Sequence, residues 1–284
     1  LRDSDGASIA PFKGSNSLAS PVSTPVICAY ARTPFGRFRG ALANYTAVEL
    51  GTLAVEGVLE RAGIDPHSGI IDQVYMGQVL QAGAGQAPAR QVAIASGLPY
   101  STPCTTVNKV CGSSLKAVMV AATEIMAGKS NVVIAGGMES MSQAPHFIRG
   151  AKRGDEISFA ELTGILSHDG LKDAYDGSMM GITGETIAKE ANISRSESDR
   201  YALRSHTLSD SAWENGWLAE EVVSIDELER DEGIRIDTSV EGLAGLRTVF
   251  KDDGQVTAGN ASQVSDGGSA VLIASEEIAN ENGW

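Results

Sequence analysis

Cysteine is scarce in this chain: Cys28, Cys104 and Cys111 are the only ones among 284 residues. They are too few and too widely spaced for a disulfide framework, and no C-x-x-C pair is present to begin a four-ligand zinc site. Such thiol usage fits a reducing compartment, so the cytoplasm is the expected location, with the mitochondrial and peroxisomal matrix left open. Long apolar runs are missing too. No stretch approaches the roughly 20 residues that cross a bilayer, and no basic-then-apolar leader marks a secretory signal. Positive charge is short: 22 Lys and Arg stand against 36 Asp and Glu, a net charge of −14, and that field repels nucleic acid and anionic membrane surfaces. Gly136-Gly137 follows an apolar run, but no G-x-G-x-x-G or P-loop pattern accompanies it. No metal site and no nucleic-acid or membrane partner is therefore expected, and no internal repeat is visible.

What is present is a globular composition, 42% hydrophobic, with strand and helix patterns in alternation. Residues 1–24 are rich in Ser, Gly and Pro without apolar periodicity and read as an extension or tag outside the fold. From there the pattern predicts a strand at Val26–Ala31, an amphipathic helix at Ala47–Ala62 stopped by Gly63, a strand at Gln73–Met76 and a helix at Ala87–Ser96. It continues with a strand at Thr105–Val107, a helix at Ser113–Ala127 and a short apolar strand at Asn131–Ala135, of the kind buried between helices on both faces of a sheet. Polar, Met-rich and Gly-rich stretches follow. Within them one helix is well marked, because Ser194 and Glu197 form a capping box and the pattern runs to Gly216. A core strand at Gly268–Ala274 and a helix at Ser275–Asn282 close the pattern.

Cys111 lies where the extended segment Cys104–Val107 gives way to a helix with Leu115, Val118, Met119, Ala122, Ile125 and Met126 at helical spacing and Gly128 as a stop. Free N–H groups and the macrodipole at a helix start favour a thiolate and any oxyanion formed beside it. A buried, inert cysteine is the competing reading. Position alone does not choose between them.

The run Asn108-Lys109-Val110-Cys111-Gly112-Ser113-Ser114-Leu115-Lys116-Ala117-Val118 resembles the nucleophile motif of thiolases. Ala31-Arg32-Thr33-Pro34-Phe35-Gly36, Gly77–Gly83 with Gly85–Gln91, Gly136–Ser142, and Thr257–Ser262 with Asp266-Gly267 are similar to other thiolase blocks, in thiolase order. The resemblance implies an α/β fold, a thiolase-like half with a mixed five-stranded sheet covered by helices and an inserted loop domain. The implied division is 25–140 for the first part of an N-terminal domain, 141–263 for the loop domain and 264–284 for its return, with the C-terminal thiolase domain absent from this sequence.

By the same resemblance the chain transfers acyl groups between coenzyme A thioesters, in thiolytic cleavage of 3-ketoacyl-CoA or the reverse Claisen condensation, through an acyl-Cys111 intermediate. Coenzyme A or acyl-CoA is the substrate, and no cofactor is held permanently. Leu171 and Arg247 match positions flanking the adenine end, and Met180, Ala258 and Ser262 match positions along the pantetheine. Arg247 and helix N-termini would have to override the chain's negative field around so anionic a ligand.

The family's catalytic base is a histidine in a Gly-His-Pro motif, and its acid/base partner a cysteine in a Cys-x-Gly-Gly motif. This sequence contains neither, and His67, His146, His168 and His206 all lie in other contexts. Little or no turnover is therefore expected of this chain alone. Ser114, where thiolases usually carry glycine, and Met179, where short-chain biosynthetic members usually carry histidine, leave the acyl chain length open.

A homodimer or homotetramer is implied, through first-half strands and a loop near Met141–Arg149, and a separate C-terminal half is a further implied partner. Two other readings stand beside this one: a non-catalytic thiolase-like acyl-CoA binding or scaffold protein, and a ketosynthase-like condensing enzyme.

Overall fold

The computed structural model describes residues 23–284 apart from residue 227; the extension read over 1–24 lies outside the described residues up to residue 22. The chain enters as strand β1, Pro25–Arg32, followed by the two-residue strand β2, Gly36–Arg37. Helix α1, Ala47–Ala62, begins at Thr46, whose side chain accepts the Glu49 N–H while Glu49 reaches back to the Thr46 N–H. This reciprocal cap satisfies donors that every helix start leaves open, and Gly63, at φ 65°, ends the helix in the left-handed conformation glycine adopts freely.

Next come β3 (Gln73–Gly77), α2 (Pro88–Ala95), β4 (Cys104–Val107), α3 (Ser113–Met126) and β5 (Val132–Ser140). Strand β3 lies parallel to both β4 and β5, because a helix separates each strand from the next and returns the chain to the same end of the sheet. Strand β8, Ser265–Ser275, inserts antiparallel between β1 and β5, giving the order β1-β8-β5-β3-β4. The expected mixed five-stranded sheet is this path; β2 adds a sixth, short member on β8, at Asp266 and Ser265.

Helices α1 and α2 cover one face. Ala54, Val55 and Val58 pack there with Val74, Met76, Val132, Ile134 and Leu272. On the other face α3 sets Ala117, Ala121 and Ile125 against Tyr75, Val133, Ala135 and Ile273. Alternate residues of β5 thus enter opposite cores, which is why its sequence reads as an unbroken apolar run. The outer side of α3 carries exposed Leu115, Met119 and Met126.

Strand β5 runs past the expected end at Ala135 to Ser140. Its glycines fit rather than break the ladder: a Cβ on Gly136 would stand 2.1 Å from the Ser269 carbonyl oxygen.

Between β5 and β8 the chain forms the hairpin β6–β7 (His146–Phe147 with Thr163–Gly164), a π-helical turn Leu166–Leu171, and helices α4 (Met180–Glu190), α5 (Arg195–Glu214) and α6 (Val240–Ala244). Helix α5 starts on the expected Ser194–Glu197 capping box. Helix α4 was hidden in the sequence, since it carries Gly181 and Gly184 and has no side-chain cap.

This segment is tied to the sheet by Arg32. Its Nε meets Glu221 at 2.7 Å and its fork meets Asp231 at 2.7 and 3.1 Å. Among the described residues no helix is long and apolar enough to cross a membrane.

Candidate active site

Strand β4 ends at Val107, and the chain turns through Asn108–Gly112 into α3. At the turn Val110 has φ 49°, a left-handed value rare for a β-branched residue. Its N–H donates to Asn108 Oδ1 at 3.0 Å, and its carbonyl accepts from Ser113 Oγ at 2.6 Å. Cys111 follows at once, exposed at the mouth of α3. Gly112 is the N-cap and brings no side chain to the helix end. Among the described residues no protein acceptor takes the N–H of Cys111, Ser114 or Leu115. These are the free donors of a helix start.

The first turn of α3 presses on the end of β3 and on the middle of β5. A Cβ on Gly77 would meet the Ser114 nitrogen at 2.6 Å, and one on Gly137 would meet Ser114 Cβ at the same 2.6 Å. Glycine at the end of β3 and within β5 is what lets the helix start, and Cys111 with it, come this close to the sheet. Glu139, two residues beyond Gly137, accepts the N–H groups of Val79 and Leu80 at 2.9 and 3.2 Å. Burial pushes its carboxyl above the usual range, and those two donors pull it partly back. The loop so held accepts from Asn108 Nδ2 through the Val79 carbonyl, and a Cβ on Gly170 would stand 3.3 Å from Leu80 Cδ2 in the same loop.

The other two cysteines are unlike Cys111. Cys28 and Cys104 are half-buried, and desolvation raises both thiols, at Cys104 against the opposing pull of Arg90. Both are thereby less thiolate than a free cysteine.

Ala258 and Ser262 line a cleft of about 420 Å³ between α5 and the 231–238 loop. Asn260 fixes their loop: its Oδ1 accepts the Thr257 N–H at 2.8 Å, while its Nδ2 donates to the buried Asp199 and to the Gln255 carbonyl, both at 2.9 Å. Met180, exposed at the start of α4, Leu171 and the exposed Arg247 are not among the residues lining this cleft. The structure therefore brings two of the five expected ligand positions together there.

The cation that does line the cleft is Arg235, which the motif reading missed because its surroundings, Gly233-Ile234-Arg235-Ile236, carry no marked pattern. The Arg235 N–H donates to His206 Nδ1 at 3.2 Å. Burial, and then the charge of Arg235, hold the His206 imidazole below its ordinary value. Among the described residues no group of His, Cys, Asp and Glu is arranged to hold a metal ion.

Residues 25–277 match the family model described as thiolase, N-terminal domain. An acetyl-CoA acetyltransferase of Chromobacterium violaceum is 45% identical over 266 residues, covering 90% of this chain and 67% of that protein. One of Cupriavidus necator is 44% identical over 267 residues, with 91% and 67% covered. A mitochondrial acetyl-CoA acetyltransferase of Danio rerio is 42% identical over 265 residues, with 89% of this chain and 62% of the relative covered. The chain thus spans about two thirds of the length of these relatives.

Proposed function

The chain belongs to the thiolase family, and on that footing we propose that it carries acyl groups between coenzyme A thioesters on Cys111. The observation that supports this most is the placement of one exposed thiol at the mouth of α3, beside unpaired helix N–H groups. In this reading Cys111 Sγ attacks the acyl carbonyl carbon of the thioester. A new S–C bond forms, the bond from carbon to the coenzyme A sulfur breaks, and the thiol proton ends on the departing coenzyme A thiolate. Negative charge rests on the carbonyl oxygen between these events, and N–H donors aimed there lower the barrier. Losing one such donor commonly costs about 10²–10³-fold.

The cleft holding Ala258 and Ser262 is proposed for coenzyme A, with Arg235 as the cation toward its phosphates and Arg247 outside the cleft in a lesser role. No permanently held cofactor is proposed. Return of the acyl group to carbon requires a base to remove a proton from the second thioester. Among the described residues no side chain hydrogen-bonds Cys111 Sγ, and the sequence has no Gly-His-Pro motif. We therefore propose acylation without appreciable condensation for this chain by itself. A homo-oligomer is also proposed, supported by β4, an edge strand whose outer side has no partner among the described residues. Thiol usage supports the cytoplasm.

Mass spectrometry after incubation with acetyl-CoA tests the reading. One acetyl group on Cys111, absent from Cys111→Ala, is the expected result, and no labelling of the wild-type chain sinks it. Coenzyme A binding weakened about tenfold in Arg235→Ala and little changed in Arg247→Ala is expected of the cleft assignment. The reverse ranking would move the ligand elsewhere.

A further inference from the structure

We propose that Asn108 and Ser113 are positioning residues, which hold Val110 in its left-handed conformation and so aim Cys111. This rests on the reading of Cys111 as the acyl carrier.

The starting point is a conflict between residue and backbone. Val110 sits at φ 49°, where its branched Cβ crowds the backbone. Such strain persists only where the surroundings over-determine the conformation. Burial does not supply the compensation here, because Val110 is 51% exposed.

Hydrogen bonds do. Asn108 Oδ1 takes the Val110 N–H at 3.0 Å, and Ser113 Oγ donates to the Val110 carbonyl at 2.6 Å. The same Ser113 oxygen accepts the Lys109 N–H at 2.8 Å, and the Ser113 N–H adds a second bond to the Val110 carbonyl at 3.1 Å. Both polar groups of the strained residue are therefore gripped from the two sides of the turn.

The grip is itself anchored. Ser113 is buried and packed so closely on β3 that a Cβ at Gly77 would come within 2.8 Å of Ser113 Cβ. Asn108 Nδ2 reaches the Val79 carbonyl at 3.4 Å, in the loop held by Glu139. Were Val110 to relax to negative φ, the chain direction at the turn would change and Cys111 would swing away from the N–H groups of α3. The left-handed conformation, rather than the strain it carries, thus sets where the thiol stands relative to the first N–H groups of α3, and reacting groups displaced by about 1 Å can lose 10²-fold in rate.

The test measures the rate of Cys111 acetylation by acetyl-CoA, by peptide mass, in the whole chain. Asn108→Ala and Ser113→Ala are each expected to slow it about tenfold. Val110→Gly is expected to stay near the wild-type rate, since glycine adopts the conformation unaided. In the V110G background the effect of N108A should shrink below about threefold. A purely structural role for Asn108 would not be rescued by relieving Val110.

Wild-type chain that takes no acetyl group overturns the Cys111 reading and this inference with it. Wild-type labelling with N108A and S113A at the wild-type rate overturns the positioning role alone. An N108A effect of the same size in both backgrounds also overturns it. Asn108 is exposed, so N108A decides the matter even if S113A does not fold.

Discussion

Substituting alanine for Gly137 should destabilise the protein through one identifiable contact. Gly137 lies on β5, and a Cβ there would stand 2.6 Å from Ser114 Cβ, against an ordinary carbon separation of about 3.5–4.0 Å. The first turn of α3 must retreat by roughly 1 Å, and inserting a methyl into so tight a contact costs about 1–3 kcal/mol. At roughly 2–4 °C per kcal/mol for a domain of this size, the midpoint of thermal unfolding should fall by about 2–12 °C.

The same geometry predicts relief. Ser114→Gly removes the obstructing carbon at a helix-propensity cost under about 1 kcal/mol, so G137A/S114G should recover most of what G137A loses. Gly136→Ala is the control. Its Cβ would meet the Ser269 carbonyl oxygen at 2.1 Å and Ala270 Cα at 2.8 Å, which are backbone atoms that S114G cannot clear. Unfolding followed by circular dichroism or by denaturant titration measures all four proteins. A neutral G137A, or a G137A defect untouched by S114G, would refute the claim that Ser114 is what limits the approach of α3 to the sheet.

Other changes have equally definite expectations. Glu185→Ala leaves the Gln255 and Val256 N–H groups without their buried acceptor at 2.8–2.9 Å, and should cost about 2–4 kcal/mol in denaturant unfolding while loosening the Ala258–Ser262 loop. The fork of Arg32 joins β1 to Glu221 and Asp231, so Arg32→Lys, which cannot meet both carboxylates in the same geometry, should lower stability by about 1–2 kcal/mol. His206 is held below its ordinary value, so below about pH 6.5 the unfolded chain binds its proton before the folded one does. Folding stability should therefore fall as pH drops from about 6.5 toward the depressed value, and His206→Asn should flatten that part of the curve; an unchanged slope would count against the burial of this ring.

The elements around Cys111 were legible because each rests on short-range pattern. Helix α3 begins at Ser113 as its apolar spacing requires, and Gly128, just past its end, takes the positive φ of a helix stop. The α5 cap was readable for the same reason: Ser194 and Glu197 settle it between themselves. The sequence pattern ends β5 at Ala135 because the apolar run stops there at Gly136-Gly137. Those glycines answer instead to neighbours distant in sequence, Ser269 on β8 and Ser114 on α3. The cleft was half legible. Ala258 and Ser262 stand in a recognisable block, whereas Arg235 reaches the same space from an unpatterned loop, and no local rule joins the two.

Val110 marks the limit of reading from local preference. Every propensity argues against a valine in the left-handed region, so the pattern around Cys104–Val107 and Ser113–Met126 gives no hint that the junction turns there. Yet the residues that hydrogen-bond the backbone of Val110 are ordinary turn formers at short range: an Asn two positions before Val110 and a Ser three after, with side chains that compete well for backbone groups. A broken local rule with a built-in compensation is what a functional position looks like in a sequence that otherwise agrees with its fold. The strain at Val110 and the missing side-chain cap at Gly112 each weaken stability slightly, while the glycines under Ser114 make room for the first turn of α3. In the proposed reading all three serve the placing of Cys111 at the start of α3.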